Sequence, residues 1–283
     1  MNSINIKLKK LLLVLVSSFV IFSLSAKEVV FVKSGSSGDG SSWSKAFGSI
    51  QQAINSAVQK RADVWVAKGV YKSDSTAVVF LKPNVNLYGG FAGNETSMTV
   101  RDTAKNPTVL DGGQKMRVIF QENHFADSTA VVVDGFIIQN GYAEIGGGVY
   151  LAKNTTLNNC ILRNNTATSY GLAIYANYAK IKNSIICDNN SNVAQKNVYL
   201  FNSEMDNCIV RNNTANHSSG VYATNTSTIS NSTIDNNKNI ITYANATVVT
   251  FNSVILIFLI AVLSDALIII MSPIFISVFT LLK

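Results

Sequence analysis

The side chains able to do chemistry in the middle of this 283-residue chain are few. The carboxylates weighed there are Asp134, Asp188, Glu204, Asp206 and Asp235. Glycosidic-bond hydrolysis needs two carboxyl groups facing each other across one bond. Asp188 and Asp235 are the one pair whose spacing, 47 residues, approaches two units of an internal 24-residue repeat. Chance placement explains the pair equally well. A metal-assisted lyase would need clustered acids beside an Arg or Lys base. Arg163 and Arg211 occupy one repeat position with Cys187 between them, which reads as a solvated face. His124 and His217 stand in different repeats without a metal-ligand partner at useful spacing. No Gly-rich loop joins a strand to a helix, so nucleotide binding has no support. Gly146-Gly147-Gly148 reads as a tight turn. No catalytic residue, cofactor site or metal site is assigned.

The spacing of these residues leads back to the repeat that carries them. Asn159-Cys160-Ile161-Leu162, Asn183-Ser184-Ile185-Ile186, Asn207-Cys208-Ile209-Val210 and Asn231-Ser232-Thr233-Ile234 follow one another at 24 residues. Each is followed by a polar pair, Asn164-Asn165, Asp188-Asn189, Asn212-Asn213 and Asn236-Asn237. Upstream, Leu87-Tyr88-Gly89-Gly90, Leu110-Asp111-Gly112-Gly113 and Val133-Asp134-Gly135-Phe136 recur at 23. Leu157, Ile181, Met205 and Ile229 mark one strand, and Tyr150, Tyr175, Tyr199, Tyr222 and Tyr243 another. Asn, Ser, Thr and Gly clusters between them read as turns. Helical solenoids and leucine-rich repeats are excluded by their missing signatures. The expected fold is all-β: a right-handed parallel β-helix of about eight coils, three short strands per coil.

In such a stack, equivalent residues lie about 4.8 Å apart. Ile161, Ile185 and Ile209 are expected to form an interior stack. Asn159, Asn183, Asn207 and Asn231 are expected inside it as a ladder of amides bonding to the coils above and below. Residues 133–252 hold 24 Asn in 120 positions, and their register with the aliphatics argues against disorder. Cys160 and Cys208 share a position two coils apart, about 9.6 Å, beyond disulfide reach. They are expected to be free, buried and interchangeable with Ser184 and Ser232.

The ends differ from the middle. Residues 1–26 read as a signal peptide: Lys7 to Lys10, the apolar Leu11 to Leu24, then Ser25 and Ala26. Removing Lys7, Lys9 and Lys10 lowers the formal charge from +7 to +4 (7 − 3). No basic run remains, so nucleic-acid binding is not expected. Residues 27–70 read as an N-terminal cap and first coil. One short amphipathic helix lies within it, Ser49 to Lys60, with Ile50, Ile54, Ala57 and Val58 on its apolar face. Residues 71–252 form the β-helix. Residues 253–283 are a hydrophobic C-terminal tail, either a membrane anchor that would give membrane contact or the end of a frame-shifted gene.

Phe31-Val32-Lys33, Gly38-Asp39-Gly40-Ser41-Ser42-Trp43, Val64-Trp65-Val66-Ala67-Lys68-Gly69-Val70-Tyr71 and Leu87-Tyr88-Gly89-Gly90-Phe91 carry a resemblance. They are similar to the opening of secreted β-helix proteins from Bacteroidetes-type bacteria. Gly147-Gly148-Val149-Tyr150 with the Arg-Asn-Asn-Thr segments resembles the polymorphic outer-membrane protein repeat. The resemblance covers about residues 29–252 and implies a cell-surface, outer-membrane or extracellular location and an adhesin-like role. The implied partner is a surface glycan, or a host or neighbouring cell surface. Pectin-degrading hydrolases share the fold and resemble one another in Asn-Thr-Asp, Asp-Asp and Gly-His-Gly motifs, which this chain lacks. A non-catalytic adhesion or glycan-contact module is therefore the first reading, and a polysaccharide lyase or glycoside hydrolase the alternative. Asp74-Ser75-Thr76, Asp102-Thr103-Ala104 and Asp127-Ser128-Thr129 resemble O-glycosylation motifs of Bacteroides-type exported proteins, which would place sugar on Ser75, Thr103 or Ser128.

Overall fold

The computed structural model describes residues 27–127, 129–194 and 196–238, with the backbone of Ile241–Ala244 and Ile255–Leu256. The expected leader, Ser128 and the tail beyond 256 lie outside the described residues. The chain winds into a parallel β-solenoid of about seven turns with three sheets. The first sheet contains Val29–Val32, Asp63–Ala67, Leu87–Phe91, Val131–Asp134, Thr155–Asn158, Lys180–Lys182, Glu204–Asp206 and Thr228–Ser230. The second runs from Gly69–Tyr71 through Thr108–Asp111, Ile137–Gln139, Ile161–Arg163, Ile185–Cys187 and Ile209–Arg211 to Thr233–Asp235 and Ile255–Leu256. Parallel pairing thus reaches past residue 252, where the tail was expected to begin. The third contains Ala77–Phe80, Arg117–Phe120, Val149–Leu151, Thr166–Asn177, Lys196–Phe201, Ser218–Thr224 and Ile241–Ala244, with Tyr142–Ile145 beside Thr166–Asn177.

The turn count is lower than expected for a specific reason. Leu87 pairs directly with Val133, 46 residues on, whereas Leu110 lies in the second sheet between Tyr71 and Ile138. The 23-residue register upstream therefore mixed two sheets and counted one coil twice. Most of the extra length is the loop 92–107, and the rest lies in the connection 121–130. In the loop, Glu95 accepts hydrogen bonds from the amides of Ala92, Gly93 and Asn94.

Alternation along each strand decides what is inside. On the first sheet Val30, Val64, Leu87, Val133, Leu157, Ile181, Met205 and Ile229 stack fully buried. On the second, Ile138, Leu162, Ile186, Val210 and Ile234 do the same. Each such side chain stabilises the stack by about 1.5–3 kcal/mol. Ile161, Ile185 and Ile209, expected inside, instead face outward, and Ile209 is 37% exposed. The cause is parity: Cys160, Ser184, Cys208 and Ser232 already turn inward, so the next residue must turn out.

The asparagine ladder is also displaced. Asn159, Asn183, Asn207 and Asn231 hold the corner between first and second sheets in the left-handed region, φ 47–51°. Their side chains are exposed, not interior. Gly135, φ 82°, has the same place one coil earlier. Asn suits this backbone because its short polar side chain tolerates left-handed φ. Asn207 Nδ2 still donates to Asn183 Oδ1 at 2.8 Å, an outside link between corners. The interior ladder is the second member of each polar pair: Asn165, Asn189, Asn213 and Asn237, at the next corner. The amides of Asn165, Asn189 and Asn213 donate to Oδ1 of the following asparagine at 2.9–3.0 Å. Each Nδ2 donates back to a carbonyl of the preceding coil, those of Ile138, Leu162, Ile186 and Val210.

The other corners repeat this device with smaller groups. The amides of Cys160 and Cys208 donate to Ser184 Oγ and Ser232 Oγ at 3.1 Å. Those of Ala179 and Ser203 donate to Ser203 Oγ and Ser227 Oγ. All three cysteines are free, and burial pushes the Cys160 and Cys208 thiols up to about 12.

The open N-terminal end is closed by helix Ile50–Lys60, capped by Ser49, whose side chain accepts from the Gln52 amide. Ile50, Ala53, Ile54 and Ala57 are its buried face, and Val58 is 43% exposed. Val58 was expected inside; the i, i+3, i+4, i+7 stripe from Ile50 places Ala53 there instead. Gln51 Oε1 accepts from the Phe80 amide at 2.8 Å, satisfying part of an otherwise unpaired edge. Beside it, Phe31, Trp43, Trp65 and Phe91 pack as an aromatic cluster.

The two asparagine positions should respond differently to substitution. Asn189→Leu orphans the Asn165 amide and should lower urea-unfolding stability by about 3 kcal/mol. Asn183→Gly should change it by less than about 0.5 kcal/mol, because glycine accepts the same φ. Equal losses would contradict the assignment of the interior ladder.

Candidate functional site

Three of the carboxylates first weighed for catalysis, Asp134, Glu204 and Asp206, are occupied by structure, while Asp235 Oδ1 is buried without a hydrogen-bond partner among the described residues. Asp134 is paired with Arg101 at 2.7 Å and accepts from Asn158 Nδ2 at 2.6 Å. Glu204 bridges Lys180 and Lys182, and the hydrogen bond from Lys182 holds it below the usual carboxylate range. Asp206 accepts from Ser230 Oγ and Asn231 Nδ2 and is likewise lowered. Burial works to raise Asp111, but hydrogen bonds from Gln139, the Gly113 amide and Asn140 outweigh it. A general acid needs the opposite, a carboxyl held protonated. Asp188 and Asp235 do not share a register: Asp235 aligns with Arg211, which aligns with Cys187, one residue before Asp188.

Arg163 and Arg211 do flank Cys187 on the outer face of the second sheet. Arg163 is held by Gln139 Oε1, and burial pushes the Cys187 thiol up to about 11, away from a reactive thiolate. His124 Nδ1 accepts from the Lys153 amide. Among the described residues no group of three metal-ligating side chains comes together. No helix among them is long and apolar enough to cross a membrane. Ser75 is exposed, Thr103 is half-buried inside a turn organised by Asp102, and Ser128 lies outside the described residues.

What the fold does assemble is a strip of aromatic side chains on the outer face of the third sheet. Phe80, Phe120, Tyr150, Tyr175, Tyr199 and Tyr222 occupy one register position over six strands and are all half-buried. Five rises make it about 24 Å long. The phenylalanines meet edge to face, and Phe120 meets Tyr150 the same way. From Tyr150 on, the rings stack, with centroids 4.8, 5.1 and 5.2 Å apart. Stacking covers the ring faces and turns edges and hydroxyls outward. The four hydroxyls have no hydrogen-bond partner among the described residues. Tyr243 is not part of the row, since Thr242 pairs with Tyr222.

Two cations are set into the strip. Arg117 lies 4.5 Å over the Phe120 ring and 5.4 Å from Tyr150, and donates to the carbonyls of Ile145 and Gly146. Those carbonyls are presented by the Gly146–Gly148 turn. Gly146 has φ 67°, and a Cβ on Gly147 would lie 1.8 Å from the Thr166 carbonyl oxygen. Lys196 Nζ sits 3.9 Å over Tyr222, 4.4 Å over Tyr170 and 5.4 Å from Tyr199. The tyrosine spacing was visible in the sequence, but neither cation was singled out. Lys196 is one of several scattered basic residues, and only strand register brings it among the rings.

The tyrosines report on one another. Burial, then neighbouring phenols, push Tyr175, Tyr199 and Tyr222 above the ordinary tyrosine value. Phenolate absorbance should therefore appear later with rising pH in the folded chain than in the unfolded one. Unfolded tyrosines ionise first, near pH 10, so the stability these groups add is complete below that pH and lost as pH rises through the folded values. Tyr175→Phe should let Tyr199 ionise at lower pH. An unchanged titration curve in this variant would contradict the stacked row.

A family model described as a protein of unknown function (DUF1565) matches residues 33–256. No curated protein and no solved structure matches the chain.

Proposed function

We propose that this chain, which belongs to the DUF1565 family, is a non-catalytic secreted or cell-surface module that contacts an extended glycan through the third-sheet strip. The observation that carries this reading is the row of four phenolic hydroxyls, one per coil and without a partner among the described residues, on a surface about 24 Å long. Small-molecule sites are concave and enclosed. This surface is open and linear, and repeats its donors and acceptors at the spacing of the coils. A linear polymer with many hydroxyls matches that repetition. Tyrosine suits such contacts, offering large amphipathic area at low conformational-entropy cost. The Lys7 to Lys10 and Leu11 to Leu24 segments support export, and an adhesive role follows if the glycan belongs to another cell. The lowered carboxylates Asp111, Glu204 and Asp206 speak against the polysaccharide-cleaving alternative.

A glycan array followed by calorimetric titration of the full chain tests this. Tyr199→Phe keeps the ring in the stack and removes one hydroxyl. It should weaken binding severalfold, about the value of one hydrogen bond. Thr226→Ala, at the groove near Tyr178 and away from the strip, should bind as the parent does. Absence of any glycan binding, or equal effects of the two substitutions, would refute the reading.

A further inference from the structure

We infer that the glycan taken by the strip is acidic, its carboxylate or sulfate groups seating at Lys196 and Arg117. This rests on the glycan reading above and deepens it. The first argument is charge matching. On the first sheet the outward cations Lys180 and Lys182 are neutralised by Glu204, and the sheet's Asp134 pairs with Arg101 of the loop 92–107. On the third sheet they are not. The strands Ala77–Phe80, Arg117–Phe120, Val149–Leu151, Thr166–Asn177, Lys196–Phe201 and Ser218–Thr224 contain no carboxylate. Neither Arg117 nor Lys196 is in an ion pair among the described residues. Glu144, on the flanking strand Tyr142–Ile145, is the nearest acid in the sheet by sequence.

The second argument is polar surroundings. Asn197 and Ser218 are fully buried, and both amide atoms of Asn197 and the Ser218 hydroxyl lack a partner. Asn197 follows Lys196 in the chain, and Ser218 pairs with Lys196 in the next coil. A buried polar group without a partner costs about 1–3 kcal/mol. Two such residues thus lie buried next to Lys196, one adjacent to it in the chain and one opposite it in register. The Lys196 ammonium rests on ring faces, and burial lowers its pKa, so an anion arriving there meets a poorly hydrated cation. Charge-assisted contacts in such surroundings are the strong ones.

The third argument is length. Arg117 and Lys196 lie on strands three coils apart, about 14 Å. A single small anion cannot span that distance. A polymer with repeated acidic groups can, and the tyrosine hydroxyls between the two cations would contact its sugar hydroxyls.

The test measures binding of the full chain to alginate, dextran sulfate, neutral dextran and duplex DNA, at two salt concentrations. Alginate supplies carboxylates and dextran sulfate supplies sulfates, so the two arms separate the sources of charge. The expected result is binding to one or both acidic glycans, weakened by salt, with little binding to dextran or DNA. Lys196→Gln should weaken that binding about tenfold and Lys196→Arg should retain it. An unchanged thermal midpoint shows that these variants are folded. Equal binding to dextran, untouched by Lys196→Gln, overturns the acidic assignment and leaves the glycan reading standing. Binding to DNA as tight as to either acidic glycan overturns it in favour of a general polyanion surface. Binding to none of the glycans overturns both.

Discussion

In the regular coils the corners at Asn159, Asn183, Asn207 and Asn231, and at Asn164, Asp188, Asn212 and Asn236, turn through a residue with positive φ, and the backbone amide that follows then points along the solenoid axis with no strand partner. A buried amide left this way would cost about 1–3 kcal/mol at each such corner. The chain answers with a side-chain oxygen from the next coil: Asn189 Oδ1 for Asn165, Ser184 Oγ for Cys160, Ser203 Oγ for Ala179. This one contact sets the rest. It requires a small polar or small apolar residue turned inward after each such corner. That requirement fixes which strand positions are core and which are surface. Because each amide depends on the next coil, no coil is complete alone, and the stability of the array resides in its interfaces.

The same constraint explains what could be read from the sequence. The repeat, the three strands per coil, the short helix and the strand position marked by Leu157, Ile181, Met205 and Ile229 are legible because periodicity and alternation act locally. The inward–outward assignment at Asn159-Cys160-Ile161 was not, since an isoleucine and an asparagine repeat equally well on either side of a β-coil. The clue was the Cys/Ser alternation at 160, 184, 208 and 232, small residues at strictly conserved spacing within the chain. Those must be interior, which turns their neighbours outward. Loop 92–107 was hidden for another reason. With it the turn from Leu87 to Val133 is 46 residues long, twice the 23-residue period, so the period continued through it while the chain left the sheet.

The strip follows from the corners as well. With inward positions committed to Val149, Ile174, Val198 and Val221, the next residue of each third-sheet strand must face out, and in four successive coils it is tyrosine. Register then stacks the rings and lays Lys196 across two of them, Tyr199 and Tyr222, and across Tyr170 beside the row. The spacing of the tyrosines could be read from the chain; the company they keep could not. Lys196 and Tyr170 are 26 residues apart and meet only because strand Thr166–Asn177 carries an irregularity opposite Lys196. The chemistry of this face is thus a property of stacked coils and of no single repeat.

The central claim, that side-chain oxygens of successive coils satisfy the corner amides, is tested most directly by native-state hydrogen exchange. The amides of Asn165, Asn189 and Asn213 are buried and bonded only to a neighbouring coil's asparagine. They should exchange among the slowest in the chain, at rates set by opening of the stack. Exchange as fast as in the exposed turn 72–76 would contradict the account.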